Sequence, residues 1–173
     1  MALILAAGKA TRLRPLTNNL PKALLEVGGK KIIDNQIETL LKESISKIIV
    51  VTGYQGELLE NHLKETYPLV NFIFERNTEY ERSSAAYSVI LTLKHIKESV
   101  VYLNGDVIYD PKILNQIINS PYKSVTAIQK IEWDEEQVNV ILNNDGSIKF
   151  ISKKIEESDS DGEFIGVTKL SSS

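Results

Sequence analysis

A glycine turn near the start of the chain carries the residues best suited to bind phosphate. Gly8 follows the apolar segment Leu3-Ile4-Leu5-Ala6-Ala7, and Arg12 and Lys22 come four and fourteen residues later. Small side chains at such a turn let main-chain N–H groups approach a phosphate or a base closely. Arginine and lysine add positive charge, although in loops they commonly face water. The spacing alone leaves a phosphate site and a solvated loop as two interpretations.

Two common glycine motifs are excluded at this turn. The dinucleotide fingerprint GxGxxG requires glycines where the chain has Ala10 and Leu13. The P-loop pattern GxxxxGK[ST] occurs nowhere in the sequence. An oxidoreductase and a P-loop ATPase are accordingly disfavoured.

A second candidate position is Asp106, which follows Gly105 at the end of an apolar run from Val100 to Asn104. A carboxylate is the kind of oxygen ligand that Mg²⁺ prefers, and Mg²⁺ on substrate phosphates needs only one or two of them. A Gly-Asp pair at a strand end is also a common turn. A magnesium site and a plain turn are both consistent with this segment alone.

Both positions lie at the ends of predicted strands, because apolar runs alternate with helical-period segments up to about residue 120. The predicted strands are Ala2 to Ala6, Lys47 to Thr52, Asn71 to Glu75 and Ser99 to Asn104. The predicted apolar helix faces are Ile33, Ile37, Leu40 and Leu41; Leu58, Leu59, His62 and Leu63; Ala86, Val89, Ile90 and Leu93; and Ile113, Leu114, Ile117 and Ile118. The aliphatic strands are typical of a parallel sheet, in which ligands bind beyond the carboxyl ends.

Beyond residue 121 the apolar period becomes that of strands. The predicted strands are Ser124 to Lys130, Gln137 to Leu142, Ser147 to Ile151 and Phe164 to Leu170, with a loop from Glu156 to Gly162. The sequence therefore predicts one Rossmann-like, three-layer α/β domain over residues 1–173. Its sheet should be mainly parallel, with an antiparallel extension near the C-terminus.

Composition narrows the class of protein further. The chain has 173 residues, 42% hydrophobic and 25% charged, which suits one soluble domain. Its net charge of −3, without long blocks of either sign, disfavours nucleic acid as a partner. It contains no cysteine, which excludes disulfides and thiolate metal sites. Since no apolar run approaches the roughly 20 residues of a membrane span, we expect a cytoplasmic protein without a membrane partner.

Two further residue types give weaker indications. His62 and His95 lie in predicted helices without a carboxylate at a telling spacing, so we expect structural roles for both. Trp133 is the only tryptophan, and its ring could line a site for a quaternary ammonium group. Ordinary packing is the commoner role of a single tryptophan.

The string LAAGKATRLRPLT at residues 5–17, closed by Pro21-Lys22, resembles the signature of the sugar-phosphate nucleotidyltransferases. This family makes nucleotide-activated sugars, choline and related headgroups. The combination of a glycine turn, an arginine and a lysine at these spacings is much rarer by chance than a glycine motif alone. The segments Asn77 to Ser88 and Gly162 to Val167 resemble those of the choline-phosphate cytidylyltransferase branch, and the resemblance covers essentially the whole chain.

The resemblance implies that a nucleoside triphosphate reacts with a small phosphomonoester and releases pyrophosphate, with Mg²⁺ as cofactor. Arg12 would hold the departing pyrophosphate, Lys22 would neutralise charge on the α-phosphoryl group, and Asp106 would bind the metal. The nucleotide-binding residues that it implies are Leu5, Ala6, Ala7, Gly8, Thr11, Ser84, Ala85 and Gly105.

Substrate identity is less well defined. Ser84 and Ala85 would stand near the base, and the branch favours CTP while leaving UTP, ATP and GTP open. A serine helix cap at Ser83 or Ser84 is an equally good interpretation. Lys153 aligns with a lysine that binds the acceptor phosphate of phosphocholine, a sugar phosphate or a related headgroup, and a solvated lysine is the alternative.

Family members continue past the equivalent of Leu170, so we expect the chain to lack its C-terminal part. In that part they usually provide a second metal-binding aspartate, and no aspartate here stands in the matching context: Asp134, Asp145, Asp159 and Asp161. An active enzyme and a catalytically inactive nucleotide-binding remnant or regulatory module are therefore both hypotheses. A homo-oligomer is compatible with either.

Overall fold

The apolar runs of the sequence form the strands of a central sheet in a computed structural model, which describes residues 1–130, 132, 134 and 136–171. The strands are β1 (Ala2–Ala6), β2 (Glu26–Val27), β3 (Lys30–Lys31), β4 (Lys47–Thr52), β5 (Asn71–Arg76), β6 (Val100–Asn104), β7 (Val125–Gln129), β8 (Asn139–Leu142), β9 (Ile148–Ser152) and β10 (Gly162–Leu170). The α-helices are α1 (Ile32–Lys42), α2 (Gly56–Thr66), α3 (Ala85–Thr92) and α4 (Pro111–Ile118). Short 3₁₀ turns cover Thr11–Leu13, Lys22–Leu24, Leu93–His95 and Glu157–Asp159.

Eight strands of the described residues form one sheet, in the order β5-β4-β1-β6-β10-β8-β9, with β7 also paired to β10. The strands β1, β4, β5 and β6 run parallel to their neighbours within this group. By contrast, β10 is antiparallel to β6, β7 and β8, and β9 is antiparallel to β8. The predicted mainly parallel sheet with an antiparallel extension is confirmed.

Apolar side chains pack on both faces of this sheet, which gives three layers. Buried residues of α1, α2 and α4 form the larger cluster with one face of β1 and β4. The smaller cluster lies on the other face, where Val89 of α3 packs against it. None of the helices in the described part of the chain is both long and apolar enough to cross a bilayer.

The predicted apolar face of α3 is wrong except at Val89, since the other three predicted positions are exposed. Ile90 and Leu93 are 60% and 56% exposed, whereas Ser88 and Thr92 are buried. The polar residues turn inward because both hydroxyls form hydrogen bonds, Ser88 with Asn77 and Thr92 with a main-chain carbonyl of its own helix. Hydrogen-bonded hydroxyls can be buried at little cost.

The prediction for α1 is confirmed at its three fully buried positions: Ile33, Ile37 and Leu40. In α2 the predicted Leu58 is also exposed, while Leu59 and Leu63 are buried.

Both predicted structural histidines have carboxylate partners on other elements. His62 Nε2 lies 2.8 Å from Asp34 Oδ1, and His95 Nε2 lies 3.1 Å from Glu75 Oε2. Burial pushes the pKa of Glu75 upward, but the hydrogen bonds from Lys94 and His95 hold the pKa of this carboxyl below its ordinary value. Sequence spacing did not show these carboxylates, because they lie 28 positions from His62 and 20 positions from His95.

Candidate functional site

A cleft of about 570 Å³ opens beyond the carboxyl ends of β1 and β6. Small-molecule sites typically have volumes of roughly 300–1,000 Å³. Ten of the predicted site residues line it: Leu5, Ala6, Ala7, Gly8, Arg12, Lys22, Ser84, Ala85, Gly105 and Asp106. Thr11 and Lys153 are not among the lining residues. Parallel strands end at a common edge, which is why four separate segments of the chain meet here.

Close main-chain packing fixes the floor of the cleft. The Gly105 N–H donates to the Leu5 carbonyl at 2.8 Å, which ties the end of β6 to the end of β1. A Cβ atom at position 105 would lie 2.6 Å from the Leu5 carbonyl oxygen and 2.8 Å from the Ala6 Cβ. Glycine is required at position 105 because no side chain fits between the two strand ends.

The Gly8 turn has open space beside its main chain. A Cβ atom on Gly8 would meet no heavy atom within 4 Å, so a ligand can approach the backbone there. Two residues later, Ala10 adopts a left-handed conformation with φ 47°. The buried Thr17 hydroxyl donates to the Ala10 carbonyl at 2.9 Å. Thr17 thereby stabilises the turn, a role that the sequence did not reveal.

Lys22 and Asp106 meet in the cleft although 84 positions separate them. Lys22 begins a 3₁₀ turn after Pro21, and Asp106 follows the end of β6. The Lys22 Nζ lies 2.9 Å from the Asp106 Oδ2, and both side chains are partly exposed. Exposed pairs of this kind contribute only about 0.2–1 kcal/mol to stability. The two groups can therefore separate at little cost to receive a phosphate and a cation.

Arg12 is joined to Lys153 through a single carboxylate. The Arg12 Nη1 lies 2.7 Å from the Glu136 Oε2, and the Lys153 Nζ lies 3.8 Å from the same oxygen. All three side chains are more than half exposed. Lys153 thus lies beside the cleft, and the Glu136 carboxylate connects it to Arg12, which lines the cleft.

Comparison with known proteins places this arrangement in a family. A model described as nucleotidyl transferase matches residues 1–162, a span that includes every cleft residue described above. The chain belongs to the nucleotidyl transferase family.

Individual relatives of this chain differ in their named substrates. The chain is 31% identical over 161 residues to the UTP–glucose-1-phosphate uridylyltransferase of Haloferax volcanii, covering 90% of this chain and 65% of that protein. It is 30% identical over 186 residues to the CTP:phosphoglutamine cytidylyltransferase of Campylobacter jejuni, covering 98% and 72%. The solved structure of the CTP:phosphocholine cytidylyltransferase from Streptococcus pneumoniae matches with a TM-score of 0.72 and 30% identity, covering 99% and 70%. The chain thus spans about two thirds of the length of these proteins.

Asp106 fits a divalent cation only together with a bound phosphate. Across the residues that the structure describes, no three histidine, cysteine, aspartate or glutamate side chains gather into a metal site. The Asp106 carboxylate is a hard oxygen ligand, and Mg²⁺ commonly combines one or two carboxylates with water and substrate phosphates. The residues present therefore fit a Mg²⁺ ion that enters with a triphosphate.

The opposite wall of the cleft is organised by Asn77, which the sequence did not single out. Asn77 is 2% exposed, and its amide donates to the Ser83 and Ser88 hydroxyls at 2.9 and 3.0 Å. Its side-chain oxygen accepts from the Glu79 N–H at 2.9 Å. Asn77 thereby holds the start of α3 to the end of β5. Ser84 occupies the N-cap position, but its side chain makes no capping hydrogen bond.

Asn104 also lines the cleft, and residues from both halves of the sheet hold its side chain. The Tyr102 hydroxyl donates to the Asn104 Oδ1 at 2.7 Å. Burial and the nearby charge of Asp106 raise the pKa of Tyr102 to about 12, so this hydroxyl keeps its proton at neutral pH. Gly166 of β10 packs on the other side with φ 74°, and a Cβ atom there would overlap the Asn104 amide.

Sequence signals existed for some of the missed residues. Asn77 and Asn104 are polar residues at the ends of predicted parallel strands, as Asp106 is. Thr17 lies within the recognised signature, but its spacing gave it no role. Trp133, the candidate aromatic of an acceptor site, lies outside the described residues.

Proposed function

We propose that the chain transfers a nucleoside monophosphate from a nucleoside triphosphate, with CTP favoured, to a small phosphomonoester such as phosphocholine or a sugar phosphate. In this reaction an acceptor phosphate oxygen forms a bond to the α-phosphorus. The bond from that phosphorus to the bridging oxygen breaks, and pyrophosphate leaves. The observation that carries the proposal is the meeting of Lys22 and Asp106 at 2.9 Å in a cleft that the Gly8 turn and Arg12 also line.

Charge is the main requirement of this reaction, because two anionic reactants must be held in line. Lys22 would neutralise the α-phosphoryl group, and Arg12 would bind the leaving pyrophosphate. Main-chain amides of the Gly8 turn would hold the nucleotide at the point where the structure leaves open space. Pre-organised charges of this kind lower the barrier without any covalent intermediate.

Asp106 would hold Mg²⁺ in this proposal. The metal would supply charge neutralisation at the phosphates. With Asp106 engaged in this way, Lys22 would no longer be held in the ion pair and its ammonium group would be free to turn to the substrate. We therefore propose Mg²⁺ as the cofactor.

The preference for CTP rests on likeness to proteins whose names specify it. The Campylobacter jejuni and Streptococcus pneumoniae proteins are named for CTP, whereas the Haloferax volcanii protein is named for UTP. The small side chains of Ser84 and Ala85 line the cleft and would leave room for a base. Lys153 would bind the acceptor phosphate beside Arg12, and Thr11 would contact the nucleotide. A cytoplasmic location and a homo-oligomer stay predictions.

The test is pyrophosphate release with Mg²⁺ and a panel of four nucleoside triphosphates and several phosphomonoesters. We expect product with at least one pair, and we expect Lys22→Ala and Asp106→Ala each to lower its rate at least about a hundredfold. Lys97→Ala is a matched control, because Lys97 is an exposed lysine outside the cleft lining. If both cleft variants match the parent rate, the proposed roles are wrong.

A nucleotide-binding module without catalysis is the second candidate, favoured because Asp106 is the single carboxylate among the described residues that line the cleft. Thermal unfolding with each triphosphate and Mg²⁺ separates the two, since a ligand that binds only the folded state raises its stability. A thermal shift without pyrophosphate release would support the module. No shift with any triphosphate would contradict both candidates.

A further inference from the structure

Gln36 of α1 is a buried polar side chain directed at the turn that carries Asp106. It is 1% exposed, and its Nε2 donates two hydrogen bonds to main-chain carbonyls. The Asn104 carbonyl accepts at 2.7 Å, and the Val107 carbonyl accepts at 2.8 Å. These carbonyls flank Gly105 and Asp106, so a single amide group bridges both ends of the turn.

The turn depends on this bridge, because its own hydrogen bond is long. The Val107 N–H lies 3.4 Å from the Asn104 carbonyl oxygen, beyond the usual range for a main-chain hydrogen bond. The two bonds from Gln36 are each more than half an ångström shorter. The position of the turn that carries Asp106 is therefore set from α1 as well as from β6.

The other end of the Gln36 amide makes its burial costly. The Gln36 Oε1 is buried and has no hydrogen-bond partner among the described residues. A buried acceptor without a partner destabilises the folded chain, and an apolar residue of the same size would avoid that cost. The donating end of Gln36 therefore accounts for an almost fully buried polar side chain among the apolar residues of α1.

We infer that Gln36 is a positioning residue for the cation: its amide fixes the turn that presents the Asp106 carboxylate, and so sets the affinity for a divalent ion bound with a triphosphate. The inference rests on the proposed role of Asp106. Gln36 itself lies behind the turn and does not line the cleft. Partners that orient a metal ligand typically change metal affinity about 10–100-fold when they are removed.

Gln36→Met tests this role, because methionine fills a similar volume without donating hydrogen bonds. Thr39→Val is the matched control. Thr39 is also a buried polar residue of α1, but its hydroxyl donates to the Asn35 carbonyl within the same helix at 2.7 Å. Both variants remove a buried polar group from one helix, and only the first frees the Asp106 turn.

The main measurement is the affinity for Mn²⁺ in the presence of CTP, determined from the electron paramagnetic resonance signal of free Mn²⁺. We expect Gln36→Met to weaken Mn²⁺ binding about tenfold or more and Thr39→Val to leave it unchanged. Hydrogen exchange at the Gly105 and Val107 amides should accelerate only in Gln36→Met. A parent-like Mn²⁺ affinity in a folded Gln36→Met protein would overturn the inference.

Two further measurements keep the test decisive. If Gln36→Met does not fold, Gln36→Asn retains an amide but withdraws it by one methylene, and the same loss of Mn²⁺ affinity is expected. In the parent, the ¹⁵N signal of the Gln36 side-chain amide should shift when Mg²⁺ and CTP are added, and an unmoved signal would contradict the inference. If the parent binds Mn²⁺ with CTP but releases no pyrophosphate, the proposed transfer fails while the role of Gln36 stands.

Discussion

Two sides of the cleft are held by different kinds of interaction. The inner wall, residues 5–8 and 104–107, is fixed by main-chain hydrogen bonds, by the tight contact at Gly105 and by the Gln36 bridge. The outer rim, which consists of Arg12, Glu136 and Lys153, is held by exposed ion pairs. Buried contacts persist without a ligand, whereas exposed pairs contribute little and exchange readily with other charges.

This difference assigns different tasks to the two sides. Groups that must meet developing charge are most effective when their positions are set in advance, as those of the inner wall are. Groups that bind and release phosphates must give up their resting partners each time. The outer rim already holds an anion, the Glu136 carboxylate, between two cations that we propose for phosphate binding.

The largest expected effect is that of Gly105→Ala, which breaks the inner wall. The added methyl group would be placed 2.6 Å from the Leu5 carbonyl oxygen, so the ends of β1 and β6 must separate. Overpacking of this kind costs about 1–3 kcal/mol in the free energy of unfolding, and we expect pyrophosphate release to be lost as well. Urea denaturation gives the first quantity. Parent-like stability would mean that the strand ends are not rigid.

Gly8→Ala sharpens the comparison, because the same substitution here meets open space. We expect the melting temperature to stay within about 1 °C of the parent, since no heavy atom lies within 4 Å of the new methyl group. Triphosphate affinity should fall about tenfold, because the methyl group blocks approach to the main chain. Calorimetric titration measures the affinity. If it is unchanged, the nucleotide does not approach this turn.

Glu136→Gln tests the outer rim. Removing the carboxylate charge frees Arg12 and Lys153 from a competing anion, so we expect the KM for the triphosphate to fall about two- to fivefold. Glu98→Gln, at an exposed position outside the cleft lining, is the control. An increase in KM would instead mean that Glu136 contributes to binding.

The smallest effect is expected at Lys9 and Glu81, an exposed pair whose atoms lie 2.7 Å apart. Their hydrogen bond raises the pKa of Lys9 and lowers the pKa of Glu81, so both stay charged at neutral pH. Lys9→Ala should weaken triphosphate binding at most about threefold at low salt, and not at all at about 1 M salt. The exchanged pair, Lys9→Glu with Glu81→Lys, should restore the parent affinity. An effect that persists at high salt would contradict an ion-pair role.

Much of the fold follows from the sequence, because buried parallel strands are nearly continuous aliphatic runs. β1 and β4 begin and end at the predicted residues, and the other predicted strands differ by at most two residues at either end. Most of the predicted apolar face of α3 was wrong because Ser88 and Thr92 form hydrogen bonds that periodicity does not show. Part of the site could also be predicted from the sequence: Arg12, Lys22 and Asp106 line the same cleft.

The remaining site residues depend on partners that the apolar periodicity does not identify. Gln36 falls on the predicted apolar face of α1, which was a signal, but its two acceptors lie 68 and 71 positions away. Thr17 binds a main-chain carbonyl, and Asn77 binds two serine hydroxyls and a main-chain N–H. Main-chain groups and serine hydroxyls occur throughout the sequence, so these partners could not be identified from it. Such contacts become visible only when the strand ends are in place.

Gly166 links the two halves of the sheet in a way that limits how the protein can be recombined. Asn104 belongs to the parallel half and Gly166 to the antiparallel half, and the space for the Asn104 amide exists only because position 166 has no side chain. A chimaera that takes its first half from this protein and its second half from a relative would need glycine at the matching position. With any larger residue there, the donor segment would have to be paired with a smaller residue at 104.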